Sequence, residues 1–468
     1  MKRRENRTKR IEKDKSEQEF VLYINLKPTQ QPKTNNSTTQ QLNDSTTQEL
    51  NDYPMKHCII IGGGIIGLCS AYYLNKQGHQ VSIIDKSNMD AGASYVNAGY
   101  LSPSHIIPLS APGVMKKGLR WMLNSASPLY IKPRFKSDLL EWSLAFNRSC
   151  NANHVTKAIP AIKDISLMSQ DLYDDLKNSN GFTFHYEKKG LLMLCQTDKM
   201  LEEEVKTAQL AAKEGLEAHE ISLDELKKIE PSINFNVLGA AYYKCDSHTT
   251  PSEFMRDMKA ELTASGVSFF ANESVEDINV KAGKIVSVLT NKQLHTADEF
   301  ILAAGSWSNL LSKKLGLKLL LQAGKGYRIN TEAPTGITTP AILAEAKVAV
   351  TPMNGFTRFA GTMEIAGINE KINKVRVDAI ARAATRYYPD IQLSEEEKNN
   401  AASGLRPVSP DGLPYIGKSK KCENLTIATG HAMMGWSMGT ATGKLVAEIV
   451  SQQKLSMDIS AFHPDRKF

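Results

Sequence analysis

The chain has 468 residues, 41% of them apolar, which is enough to bury a large core in two or three domains. Its net charge of +7 is dense only in the first ten residues, so no nucleic-acid partner is implied, while peripheral contact with an anionic membrane surface stays open. Six scattered cysteines without a CxxC pair argue against a disulfide framework or a zinc site and for reduced thiols in a cytoplasmic setting, and no apolar run reaches the roughly 20 residues of a membrane span.

Residues 1–54 do not read as fold. A charge run opens them, and "NNSTTQQL" followed by "NDSTTQEL" forms a tandem octapeptide. Polar, low-complexity sequence of this kind buries too little surface to offset its ordering entropy. The expectation is a disordered leader, or a start set too early with Met55 as the true initiator.

From Met55 the pattern changes. "HCIII" reads as a buried parallel strand, and "GGGIIG" places Gly62, Gly64 and Gly67 in the G-x-G-x-x-G spacing. The first glycine allows a tight turn, the second lets backbone approach a pyrophosphate, and the third lets the helix lie close to the strand. Ile65 and Ile66 open that helix, and Gly78 ends it. The strand "QVSII" then leads to Asp85 and Lys86, where an acid about 20 residues past the glycines accepts ribose hydroxyls and disfavours a 2′-phosphate. The unit predicts dinucleotide binding. It does not choose between a nicotinamide and a flavin.

Later segments supply candidates. "GASYVNAGYLSP" offers Ser94, Asn97, Ala98 and Gly99 to phosphate or flavin oxygens, although a plain surface loop fits its composition equally. A long helical insertion follows. "PSEFMRDMKAELTASG" predicts a helix ended by Gly266, "VSFFANESV" a strand, and "IVSVLTNKQLHTADEFILAAG" a hairpin feeding another strand that ends at Ala304 and Gly305. Residues 317–399 alternate as half-buried antiparallel strands do, before a charged helix-forming run. Near the end, "NLTIATGHAMMGWSMGTATGKLVAEIV" predicts a strand, a glycine-rich turn through Gly435 and Trp436, and a helix whose N-terminus is aimed at an electron-rich ring.

The fingerprint, "ASYVNAGYLSP", "AAGSWS", "RFAGTMEIAG", "GLRPVSPDGLPYIG" and "GHAMMGW" occur in an order that resembles the D-amino-acid oxidase-like FAD oxidoreductases, most closely the bacterial D-amino-acid dehydrogenase (small subunit) branch. The resemblance runs from Met55 to about Val450. It implies an α/β protein, α+β overall, with a Rossmann-like FAD-binding domain discontinuous in sequence (55–105, 220–316 and 400–468) and a mixed-sheet substrate domain (106–219 and 317–399). It implies FAD held by Gly62, Gly64, Gly67 and Asp85, with Val275 at the adenine, Gly305 at a strand end, and Gly435 and Trp436 beside the flavin. Arg406 would hold a substrate carboxylate, helped by Tyr327 and Arg358, with His431 close by. His248 departs from the pattern of this branch.

The reaction so implied is oxidative deamination of a D-amino acid by hydride transfer from Cα to flavin N5, giving an imine, then a 2-oxo acid and ammonia. Electrons would pass to a quinone or another acceptor. Two other readings stand beside it: an oxygen-using oxidase of glycine, sarcosine or a hydroxyproline-type imino acid, and a flavin-containing scaffold subunit without turnover. No metal is expected.

Overall fold

The run Cys58–Ile61 is apolar and mostly β-branched, and it forms the inner strand that such a run demands. Ile59 and Ile60 are wholly buried, each worth about 1.5–3 kcal/mol in apolar burial. In the computed structural model, which describes residues 54–114, 127–134 and 136–468, this strand lies between Gln80–Ile84 and Glu299–Leu302, parallel to both. Ser268–Phe270 extends the sheet on one side, and Cys422–Thr429 then antiparallel Tyr415–Ser419 complete six strands on the other. The proposed leader, residues 1–53, lies outside the described residues.

Two helices cover one face of this sheet. Ile65–Lys76 springs directly from the glycine turn, and Gly439–Val450 lies against it. Their approach depends on a bare position: a Cβ on Gly443 would stand 2.5 Å from the Cys69 carbonyl carbon. The long helix Ala152–Asn178 joins them, with Ser169 Oγ 2.8 Å from Thr440 Oγ1.

A nine-stranded mixed sheet forms the second layer. One side of it is antiparallel, with Gln322–Thr331 between Phe356–Ile365 and the edge strand Ala402–Val408. Gly239–Tyr243 also pairs in this sheet, so Gly239–Tyr243 and Ala402–Val408 differ from the expectation that placed 220–316 and 400–468 in the dinucleotide layer. The chain changes sheets inside both segments. The expected hairpin after Gly266 is a small three-stranded sheet, Val275–Lys281, Lys284–Thr290 and Leu294–His295. Lys56–Phe468 forms one compact unit. Among the described residues no helix is long and apolar enough to cross a membrane.

Candidate active site

A cavity of about 1150 Å³ runs between the two sheets. One end is closed by Glu273, Ser274 and Val275, the middle passes the glycine turn, and the other end reaches Arg406 and Thr362.

The glycine turn is built for close approach. Gly62 has φ +114°, and a Cβ there would sit 2.5 Å from the Ala303 carbonyl oxygen. On Gly63 it would meet Met89 Sδ at 2.2 Å, and on Gly67 the Gly62 carbonyl oxygen at 1.8 Å. Gly64 alone looks into open space, its nearest neighbour being Ser94 Oγ at 3.4 Å. Gly64 brings no capping side chain to the helix, while Ser94 Oγ accepts from the Ile65 amide at 3.0 Å. An open helix N-terminus above bare backbone is a fitting seat for a diphosphate. Asp85 Oδ2 accepts from the Gly63 amide at 2.7 Å, and Oδ1 from the Ser87 amide and hydroxyl. The carboxylate thus ties the turn to the second strand at the cavity wall. Lys86 Nζ lies 3.9 Å over the Trp307 ring, and Ala304 and Gly305 complete this side.

Glu273 was not singled out from sequence. Its amide donates to the Asp85 carbonyl at 2.8 Å, and its carboxylate accepts from Thr290, Gln293 and His295, which hold it low. Only pairing between strands far apart in sequence brings it to the cavity.

At the opposite end, Arg406 stands over a floor without side chains. Strand pairing sets Gly324 opposite Arg406 and Gly326 opposite Gly404, so all four share a face. A Cβ on Gly326 would lie 2.2 Å from Arg406 Nη1. Arg406 Nη1 donates to the Thr362 carbonyl at 2.9 Å. Among the described residues no carboxylate pairs with this guanidinium, and burial alone pushes its pKa down to about 10. Two non-glycine residues in left-handed conformation flank it, Thr362 at φ +62° and Ala432 at φ +48°. The Ala432 amide donates to the Pro407 carbonyl at 2.9 Å. Strain of this kind, of order 1–3 kcal/mol per residue, persists where the surroundings enforce a geometry, as at ligand clamps.

Of the residues expected to hold ligand, most do line this cavity: Gly62, Gly64, Ile65, Ile66, Asp85, Lys86, Ser94, Asn97, Ala98, Val275, Ala304, Gly305, Arg406, Gly435 and Trp436. Others are placed differently. Tyr327 also borders the cavity, but it follows Gly326 on the strand and its hydroxyl donates to Glu364 at 2.6 Å, so the hydroxyl is not a partner of Arg406. Arg358 does not line the cavity: its Nη1 donates to the Tyr95 and Asn97 carbonyls at 2.9 and 2.6 Å, clamping the loop from below. Gly99, at φ +79°, serves close approach to Thr249, and Gly67 serves the turn. Asn97 Oδ1 accepts from the Gly99 amide and so folds onto its own loop.

His431 reaches the cavity as a neutral ring. Burial pushes its pKa down to about 3, and its Nε2 lies 3.0 Å from Thr442 Oγ1, so it braces the turn and is a poor base. Trp436 is buried, its Nε1 donating to Thr249 Oγ1 at 2.9 Å. The final helix begins behind this turn against Ile65, and residues 431–437 rather than the helix N-terminus face the cavity.

Comparison with known proteins identifies the family and the fold. The family described as DAO, FAD dependent oxidoreductase, matches residues 57–449. A D-amino acid dehydrogenase of Helicobacter pylori is 31% identical over 396 residues, covering 84% of this chain and 94% of the relative. One from Vibrio vulnificus strain CMCP6 is 30% identical over 405 residues, covering 85% and 96%. Among solved structures, glycine oxidase from Geobacillus kaustophilus superposes with a TM-score of 0.71 at 21% identity, covering 88% of this chain and 99% of that one. L-proline dehydrogenase from P. horikoshii gives 0.67 at 18% identity, covering 88% and 97%. These two likenesses concern the fold. The chain belongs to the DAO family of FAD-dependent oxidoreductases, whose cofactor is FAD.

Proposed function

We propose that this enzyme oxidises D-amino acids with apolar side chains to the imine, which water converts to a 2-oxo acid and ammonia, and that the electrons leave to a quinone-type acceptor. The observation that carries the reading is Arg406: a guanidinium without a carboxylate partner among the described residues, at the end of a cavity that also holds a dinucleotide seat. A planar fork of this kind suits a carboxylate through two parallel charge-assisted hydrogen bonds. The D configuration rests on the relatives named D-amino acid dehydrogenase.

Bound FAD supplies the two-electron acceptor for oxidation of the C–N bond. The residues of the chain do the rest. The turn Gly62–Ile66 and Asp85 would hold the cofactor's diphosphate and ribose, Val275 and Glu273 flank the adenosine end, and Gly435 with Trp436 border the ring end. Arg406, fixed by the Thr362 carbonyl, orients the substrate by its carboxylate. The bare floor of Gly326 and Gly404 leaves room for substrate beside the guanidinium. Ile106, Leu109, Val114, Leu129 and Met363 make an apolar wall at this end, which takes the side chain and excludes water.

The test is anaerobic reduction of the purified flavoprotein, followed by loss of flavin absorbance. D-leucine or D-methionine is expected to bleach the flavin and the L-enantiomers are not. Absence of bleaching by every D-amino acid would refute the reading. Reoxidation in air that matches the turnover rate would replace the quinone-type acceptor by oxygen.

A further inference from the structure

His185, Glu187 and His248 come together at the small sheet formed by Tyr100–Leu101, Ser247–Thr249 and Tyr186–Glu187. The geometry points to a divalent transition-metal site there, of the zinc type, with His185 Nε2, His248 Nε2 and Glu187 Oε2 as its protein ligands and water in the fourth position.

Glu187 Oε2 lies 3.7 Å from His185 Nε2 and 3.6 Å from His248 Nε2, and one ligand atom from each residue lies within 4.8 Å of the others. Donor atoms on a tetrahedral zinc with bonds of about 2.0–2.1 Å stand about 3.3 Å apart, so two of the three pairs need only a few tenths of an ångström. The remaining closure falls to His185, which is only partly buried.

His248 is the independent observation. It is completely buried, yet neither ring nitrogen makes a hydrogen bond of ordinary geometry; its polar neighbours are the Pro352 backbone and Glu187 Oε2 at 3.6 Å. Leaving buried polar atoms unpaired costs about 1–3 kcal/mol, and a bound cation removes that cost. His185 is already oriented as a ligand: its Nδ1 lies 3.1 Å from Thr250 Oγ1, which leaves Nε2 facing Glu187. Lys189 Nζ now sits 3.0 Å from the same carboxylate oxygen, on a side chain 43% exposed, so the incoming ion displaces it to solvent. Thr249, next to His248, donates its amide to the Gly99 carbonyl of the cavity loop at 2.8 Å, and its hydroxyl accepts from the Trp436 indole at 2.9 Å, so the ion would brace this corner structurally.

The experiment uses tag-free, flavin-loaded protein stripped with a chelator and titrated calorimetrically with zinc chloride. One site per chain is expected, with a dissociation constant below about 10 µM, weakened at least about 100-fold in Glu187→Gln and in His185→Ala, more than the loss of an outer-shell partner would give. Both substitutions lie at partly exposed positions, and flavin content should be unchanged, which separates this result from failure of the flavin site. No stoichiometric zinc binding, or binding equal in both variants and the parent, would overturn the proposal.

Discussion

A half-buried guanidinium needs a reason to stand without an anion, and among the described residues Arg406 has none: its Nη1 meets only the Thr362 carbonyl, and a ligand carboxylate would supply the missing charge. The neighbouring Tyr327 provides the contrast. Its hydroxyl serves Glu364, which also stands 3.6 Å from the buried Arg376, so Tyr327→Phe is expected to lower stability by about 1–2 kcal/mol while leaving KM for amino acids within about twofold. Chemical denaturation and steady-state kinetics check the two halves separately, and a large rise in KM would put the hydroxyl back at the substrate. The sequence names both residues as candidates because a guanidinium fork and a hydroxyl both suit a substrate carboxylate. Which of them presents its polar group to the cavity depends on strand register with Ala402–Val408, a long-range pairing that local composition does not encode. Arg358 was misplaced for the same reason: the carbonyls it holds belong to a loop more than 250 residues away.

At the scale of the element, the strand–turn–helix unit was fully legible, because glycine spacing and apolar runs are local signals. Gly64 and Gly67 should behave differently when given a methyl group. Gly67→Ala pushes a Cβ to 1.8 Å from the Gly62 carbonyl oxygen and is expected to abolish folded, flavin-containing protein. Gly64→Ala meets only Ser94 Oγ at 3.4 Å, so the protein should fold but retain less flavin, read as the ratio of flavin to protein absorbance. Equal flavin retention in the two variants would contradict the assignment. The helix pair is testable in the same way. Gly443→Ala should cost about 1–3 kcal/mol, seen as a lower melting temperature, since its neighbour is Cys69 backbone rather than a movable side chain.

For the whole molecule, buried histidines set the response to acid. Burial lowers His105 and His248 to about 4 and His431 to about 3, and His79 and His185 shift the same way. The unfolded chain takes up these protons near pH 6.5, the folded chain only well below, so stability is lost as pH falls through that window. Asp246 acts in the opposite sense: burial raises it to about 7, so its unfavourable ionisation fades below that pH. The histidines outnumber it, and the melting temperature of chelator-treated protein should fall between about pH 7 and pH 5. A flat or rising profile would contradict this account of the core. The six-stranded layer was foreseeable from apolar runs and glycines, whereas the sheet membership of Gly239–Tyr243 and Ala402–Val408 was not, because it depends on which distant edge each strand meets.

The central claim is that Arg406 holds the carboxylate of an amino acid beside a resident flavin. The most direct measurement compares anaerobic flavin reduction by D-leucine and by its uncharged α-carboxamide, in the parent enzyme and in Arg406→Ala. The parent should favour the acid by at least about 30-fold, corresponding to a desolvated ion pair of about 2–5 kcal/mol, and the variant should lose that preference. If Arg406→Ala still discriminates acid from amide as the parent does, the carboxylate is held elsewhere and the account of this site is wrong.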